Sequence, residues 1–213
     1  MKKIVIFGAG RIGRSFIGQI FSIGGFEVVF ADINRNLIDQ INSHKSYNII
    51  IKGEKDEILR IGNIRGIHFE DTASLMNEIA STTVTAVSVG QAALPSVLPI
   101  IADSLQLRRK SASPQPLDII LAENMRDASG YVRTALLQLL GDDFPLDSLC
   151  GLIETSIGKM VPFMTREDLE QDPLQIFAEP YNSLILDKKG FRNPVPEIPW
   201  LAPKENMKAW VDR

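Results

Sequence analysis

Cysteine occurs once, at Cys150, and histidine only twice, at His44 and His68. A lone cysteine cannot close an internal disulfide, which excludes a disulfide-stapled secreted scaffold. Long apolar runs are also missing. The longest, such as Leu117 to Ala122 and Thr83 to Val89, fall far short of the ~20 residues that a membrane-spanning helix needs. Basic charge is not in excess: 23 Lys and Arg stand against 26 Asp and Glu, a formal charge of -3. Neither a nucleic-acid backbone nor an anionic membrane surface is therefore an expected partner, whereas a small anionic ligand needs only one local basic pocket. The first residues run straight into a strand pattern without the charged, apolar and cleavage regions of a signal peptide. These absences place the chain in the cytoplasm. No repeat, low-complexity tract or metal-ligand set is read, and His44 and His68 lie in peripheral segments as surface or structural residues.

What is present is a chain of 213 residues, 45% of them hydrophobic, enough for one large core and part of a second lobe. Lys3 to Phe7 is a short β-branched run ending at Gly8, and behind it Ile12, Phe16, Ile20 and Ile23 recur at helical spacing until Gly24 and Gly25 stop the helix. Phe26 to Ala31 reads as a second strand, after which Asn34 caps a helix carrying Leu37, Ile38 and Ile41. Tyr47 to Ile51 and Glu57 to Ile61 flank a polar turn and read as an antiparallel insertion, with Ile64 to Phe69 returning. The alternation then resumes with a helix from Thr72 to Ile79, a strand from Val84 to Val89, a helix from Leu94 to Leu105, a polar loop from Arg108 to Pro116, a strand from Leu117 to Ala122 and a helix from Asp127 to Leu140. Such alternation predicts an α/β fold of Rossmann type, a doubly wound, mostly parallel sheet with helices on both faces. After Leu149 the rhythm changes. Ile176 to Leu186 looks strand-like, and Asn193 to Pro203, with four prolines, reads as an extended tail.

Gly8-Ala9-Gly10-Arg11-Ile12-Gly13 is a G-x-G-x-x-G arrangement directly after a strand and at the start of a helix, the context that gives the pattern meaning. The first glycine permits a tight turn, the second lets backbone N–H groups approach a pyrophosphate, and the third lets the helix pack close to the strand. Asp32 ends the second strand near the ~20-residue offset at which a carboxylate accepts hydrogen bonds from the adenosine ribose. Its charge repels a 2′-phosphate, so NAD is favoured over NADP. Asp32 is otherwise a strand-end helix cap, and Arg35 leaves some room for NADP. Val89 and Gly90 close another strand at the ligand-bearing edge, where Gly90 is equally readable as a plain turn glycine. Asn124 follows the strand 117–122 and is placed either to donate to a substrate or nicotinamide oxygen or to cap a helix. Lys159 suits a general base only if desolvated and is read as a solvated lysine. The residues thus contain a cofactor site and no acid/base group for the hydroxyl proton.

Beyond these patterns the sequence resembles the long-chain polyol (mannitol) dehydrogenase family. The similar stretches are Phe7 to Gly18 (FGAGRIGRSFIG), Phe30 to Asn34 (FADIN), Ala86 to Gly90 (AVSVG), Ala122 to Met125 (AENM), Asp172 to Leu174 (DPL) and Asn206 to Arg213 (NMKAWVDR). The first and fourth are the most specific, because dinucleotide folds in general do not share them. The resemblance implies an NAD-dependent oxidoreductase that interconverts a polyol and its ketose, with Asn124 matching the asparagine that holds the reacting oxygen. It also implies a C-terminal helical domain whose general-base lysine, in a K-x4-N-x2-H pattern, comes immediately beyond the stretch ending at Arg213. Where relatives show V-D-R-I-V-P, this sequence has Ile157-Gly158-Lys159-Met160-Val161-Pro162, Gly158 replacing an acidic residue near the substrate. The resemblance therefore implies the reaction type and leaves the substrate open among mannitol 1-phosphate, free mannitol, fructuronate and tagaturonate.

The expected organisation is a cofactor domain over 1–149, an extension over 150–202, and over 203–213 the start of a helix carrying Met207, Trp210 and Val211 that leads into the C-terminal substrate domain. On this reading the chain is the cofactor-binding half of an enzyme, inactive by itself, and monomer or dimer is left open. The rival from another class is a non-catalytic NAD-binding module that reports redox state to a partner.

Overall fold

In the computed structural model, which describes residues 2–207 and 210, alternating apolar strands build an eight-stranded sheet in the order β11-β10-β8-β7-β6-β1-β2-β5. β1 (Lys3–Phe7) lies near its middle, parallel to β2 (Glu27–Asp32) on one side and to β6 (Val84–Val87) on the other. The chain reverses its direction of winding there. β2 continues to β5 (Ile64–His68), and β6 to β7 (Leu117–Leu121) and β8 (Cys150–Ser156), all parallel. β10 (Leu184–Asp187) then joins β8 antiparallel, and β11 (Leu201–Lys204) closes that edge parallel to β10.

Because successive side chains of a strand face opposite ways, β1 feeds two cores. Ile4 and Ile6 pack with Phe16, Ile20, Phe30 and Ile38, whereas Val5 and Phe7 pack with Leu75, Leu98, Ile101 and Leu136. Each such side chain contributes ~1.5–3 kcal/mol on burial, which is why both faces must be covered by helices. The first face carries α1, a π-helical stretch Gly13–Gly18 followed by an α-helical one, Gln19–Ile23, and α2 (Arg35–His44). α3 (Thr72–Ala80), α4 (Leu94–Arg109) and α5 (Ala128–Leu140) cover the other. Asn34 caps α2 as expected, its side chain accepting from the Leu37 N–H.

The antiparallel insertion forms: β3 (Tyr47–Ile51) pairs with β4 (Glu57–Ile61). It is more than a hairpin insertion, because β9 (Ile176–Ala178) comes back from the far end of the chain to pair parallel with β3, completing a second, three-stranded sheet. The strand-like stretch 176–186 is accordingly two strands in two sheets. The rhythm change expected after Leu149 comes one strand later, since α6 (Leu146–Leu149) leads into β8, which extends the parallel sheet. Arg108 belongs to α4 rather than to the polar loop; its buried guanidinium donates to the carbonyls of Ile79, Ala80, Thr82, Gln115 and Pro116. Pro203 opens no helix but lies in β11. A short helix, α7 (Arg166–Gln171), went unexpected; Thr165 and Asp168 form a capping box at its start. The expected helix beyond 207 falls outside the described residues except at Trp210.

Candidate cofactor site

The turn after β1 is built from three glycines with three different reasons to be glycine. Gly8 has φ +95°, in the left-handed region, and a side chain there would lie 2.5 Å from the Ser88 carbonyl oxygen. Gly13 is the contact point of helix and strand: a Cβ would sit 1.9 Å from the Gly8 carbonyl oxygen. Gly10 differs from both, because a Cβ there would meet nothing within 4 Å. Its open side is the space a pyrophosphate requires, so the residues present fit a dinucleotide. Gly10 and Arg11 are exposed, Ile12 is half-buried, and Ala9 is fully buried. The Arg11 guanidinium lies over the exposed ring of Phe163, 4.5 Å from its centroid.

Asp32 reaches this turn. Its Oδ2 accepts the Ala9 N–H at 2.7 Å and its Oδ1 the Asn34 N–H at 2.9 Å, both from the end of β2. It is not the helix cap, a task Asn34 performs. Arg35 is engaged elsewhere, its Nη2 lying 3.1 Å from Glu70 Oε2 and 3.3 Å from His68 Nδ1. His68 in turn contacts the Ile33 carbonyl oxygen through Nε2 at 2.9 Å, and His44 the Gln40 carbonyl oxygen at 3.0 Å, structural and surface roles as read from the sequence.

Along the same edge, Ser88, Val89 and Gly90 follow β6. The Ser88 hydroxyl bonds the Phe7 and Gly8 carbonyls, tying this loop to the glycine turn. The N–H groups of Val89 and Gly90 both donate to Glu123 Oε1, at 2.8 and 3.1 Å. Burial pushes the Glu123 carboxyl above its ordinary value, and those two amides pull it back. Asn124, the next residue, is exposed and makes no hydrogen bond within the described residues. It does not cap α5; Asp127 does, at φ +50°, with its side chain accepting from the Gly130 N–H. The glycine turn, Asp32, Val89, Gly90 and Asn124 thus follow β1, β2, β6 and β7, neighbouring strands, at the carboxyl edge where open α/β sheets bind ligands.

Three residues went unnoticed or misread. Arg14 is buried and bonds the Ala9 and Leu174 carbonyls; an arginine inside an apolar helix face was the available signal. Glu123 is an acid ending a buried strand. Lys159 is not solvated but 5% exposed, donating to Asn182 Oδ1 at 2.6 Å and Gln19 Oε1 at 3.3 Å. Burial lowers its pKa to about 8, with Glu179 acting the other way. A cavity of about 530 Å³ opens between Lys2, Lys3, Thr82 and the segment 193–197, but it lies at the opposite edge of the sheet and no residue of the glycine turn lines it.

A glycine turn at the switch point of a doubly wound sheet, closed by a carboxylate at the end of β2, defines a Rossmann-type dinucleotide-binding domain. The chain belongs to the family described as the mannitol dehydrogenase Rossmann domain, whose model matches residues 2–200. It is 29% identical over 212 residues to mannitol-1-phosphate 5-dehydrogenase of Lactiplantibacillus plantarum, covering 98% of this chain and 54% of that protein. It is 31% identical over 217 residues to mannitol-1-phosphate 5-dehydrogenase of Streptococcus mutans, covering 100% and 56%. The chain therefore spans about half the length of the curated relatives it matches. Among solved structures, D-mandelate dehydrogenase with NADH superposes with a TM-score of 0.57 at 12% identity, over 98% of this chain and 57% of that one. Octopine dehydrogenase with NADH and L-arginine gives 0.60 at 11% identity, over 88% and 42%. At such identities these likenesses speak for the fold alone. Among the described residues no helix is long and apolar enough to cross a membrane.

Proposed function

We propose that the protein bearing this chain is an NAD-dependent oxidoreductase that interconverts mannitol 1-phosphate and fructose 6-phosphate, and that this chain is its cofactor-binding half. The observation that carries the reading is the glycine turn, closed at Gly8 and Gly13, open at Gly10 and tied through Ala9 to Asp32. NAD, when bound, supplies the hydride acceptor. The family and the two mannitol-1-phosphate 5-dehydrogenases among its relatives support the substrate class. Asp32 at the end of β2 supports NAD over NADP, because a carboxylate there repels a 2′-phosphate.

In this reading Gly8 to Gly13 receive the diphosphate, Asp32 the adenosine ribose, and Val89 and Gly90 line the path to the nicotinamide. Asn124, unengaged at the end of β7, donates to the substrate oxygen and stabilises charge developing there. The proton of the hydroxyl goes to a lysine of a C-terminal helical domain beyond Arg213, with 1–149 as cofactor domain, 150–202 as its extension and 203–213 as the start of that domain. The test is to follow NADH absorbance with the full-length protein, supplying mannitol 1-phosphate, free mannitol, and the reverse substrates fructose 6-phosphate, fructuronate and tagaturonate. Turnover of the phosphorylated pair well above the others is expected; preference for a uronate would replace the substrate, and no turnover of any would sink the enzymatic reading.

A further inference from the structure

Ala9 is gripped from both sides. Its N–H donates to Asp32, and its carbonyl accepts from Arg14 Nε at 2.7 Å. A trans peptide points its C=O and the following N–H in opposite directions. With the Ala9 carbonyl turned to the guanidinium, the Gly10 N–H points the opposite way; Gly10 is exposed, and within the described residues its N–H makes no hydrogen bond. An unpartnered donor thus stands on an exposed residue at the middle of the turn.

Arg14 is itself held from a distance. Its Nη1 donates to the Leu174 carbonyl at 2.5 Å, and its own carbonyl accepts the Tyr47 hydroxyl at 2.6 Å. Tyr47 lies on β3, and Leu174 stands just ahead of β9, so both partners come from the small sheet. Arg14 sits in the π-helical stretch, whose altered hydrogen-bond register favours an outside partner for a carbonyl. Gly18 leaves room for the phenol, since a Cβ there would stand 3.0 Å from the Tyr47 oxygen. No carboxylate lies within ion-pair distance of Arg14 among the described residues, and burial works against its charge, opposed at longer range by Tyr47, Asp32 and Asp172. A buried cation without a nearby countercharge is costly even when its N–H groups are hydrogen-bonded; a diphosphate on the far side of the Ala9-Gly10 peptide is the countercharge the arrangement lacks.

We propose that Arg14 is a positioning residue for the diphosphate: by holding the Ala9 carbonyl it aims the Gly10 N–H at the ligand, and the three-stranded sheet sets its place through Leu174 and Tyr47. The proposal rests on the dinucleotide reading. A lysine offers one compact ammonium and lacks the two separate, rigidly spaced donors, Nε and Nη1, with which Arg14 holds its two carbonyls, so Arg14→Lys is the informative conservative change, and Tyr47→Phe removes only the support.

The experiment is calorimetric titration of the wild type, Arg14→Met, Arg14→Lys and Tyr47→Phe with NAD, ADP and adenosine, alongside melting curves. NAD and ADP affinity is expected to fall tenfold or more in Arg14→Met, by an intermediate factor in Arg14→Lys and about threefold in Tyr47→Phe, while adenosine, which lacks the diphosphate, changes by less than threefold. A merely structural role would lower the melting temperature and leave the ratio of NAD to adenosine affinity unchanged, which overturns the proposal. If Arg14→Met does not fold, the other two variants decide on the same ratio. A wild type that binds neither NAD nor ADP defeats the dinucleotide reading itself and the proposal with it.

Discussion

Two glycines three residues apart should respond to the same alanine substitution in opposite ways. In Gly13→Ala the new Cβ would sit 1.9 Å from the Gly8 carbonyl oxygen and 3.0 Å from its carbon, and backbone cannot swing aside as a side-chain tip can. Overpacking of this kind costs ~1–3 kcal/mol, and contact with fixed backbone puts Gly13 at the upper end. For a domain of this size ~1 kcal/mol corresponds to ~2–4 °C, so a loss of roughly 6–12 °C in melting temperature follows. In Gly10→Ala the Cβ meets nothing, and φ is not in the left-handed region. Removing glycine at such a position stabilises by ~0.4–1 kcal/mol, so melting should stay level or rise slightly. The methyl nevertheless occupies the diphosphate's approach, and a tenfold or greater loss of NAD affinity, ~1.4 kcal/mol, is expected. Scanning fluorimetry and calorimetric titration read the two quantities separately. Gly13→Ala melting within ~2 °C of the wild type, or Gly10→Ala binding NAD undiminished, would refute the division of labour within the turn.

Lys159 should show itself in the pH dependence of stability. Its folded pKa is lowered to about 8 and the unfolded value is ~10.4, so between the two the unfolded chain binds more protons and stability rises with pH. The wild type should gain stability relative to Lys159→Met from about pH 8 to ~10.4, with a slope below the ~1.4 kcal/mol per pH unit of a full one-proton difference between the unfolded and folded states; a flat difference across that range would mean the amine is hydrated. Cys150 is 3% exposed and burial, followed by Asp118, pushes its thiol up to about 12. A thiol reagent at neutral pH should therefore label it only in denaturant, and rapid labelling of the folded chain would contradict that burial.

Much of the fold was legible because its signals are local. The β-branched run before Gly8, the Asn34 cap, the alternation of strands and helices and the spacing from Gly8 to Asp32 all lie within a few turns of chain, where propensity and periodicity act. What escaped depends on contacts between distant segments. Arg14 acquires its role from Leu174, 160 positions away, and Arg108 is drawn out of an expected loop by carbonyls of two separate segments, 79–82 and 115–116. The second sheet exists only because β9 returns to β3. Lys159 was misread for the same reason: its desolvation comes from α1 and the segment before β10, neither visible from its neighbours in sequence. Pro203 looked like a helix start, yet pairing with β10 decides the matter, and a proline is tolerated because β11 is the sheet's edge.

The central claim is that the turn from Gly8 to Gly13, with Asp32, holds NAD, and calorimetric titration of the chain with NAD and NADP, before and after Asp32→Ala, tests it most directly. The account predicts that the wild type binds NAD in preference to NADP and that Asp32→Ala, which removes the ribose acceptor and frees the Ala9 N–H, weakens NAD and narrows the difference. Equal affinity for the two cofactors in the wild type, or an Asp32→Ala variant that discriminates as the wild type does, would contradict it.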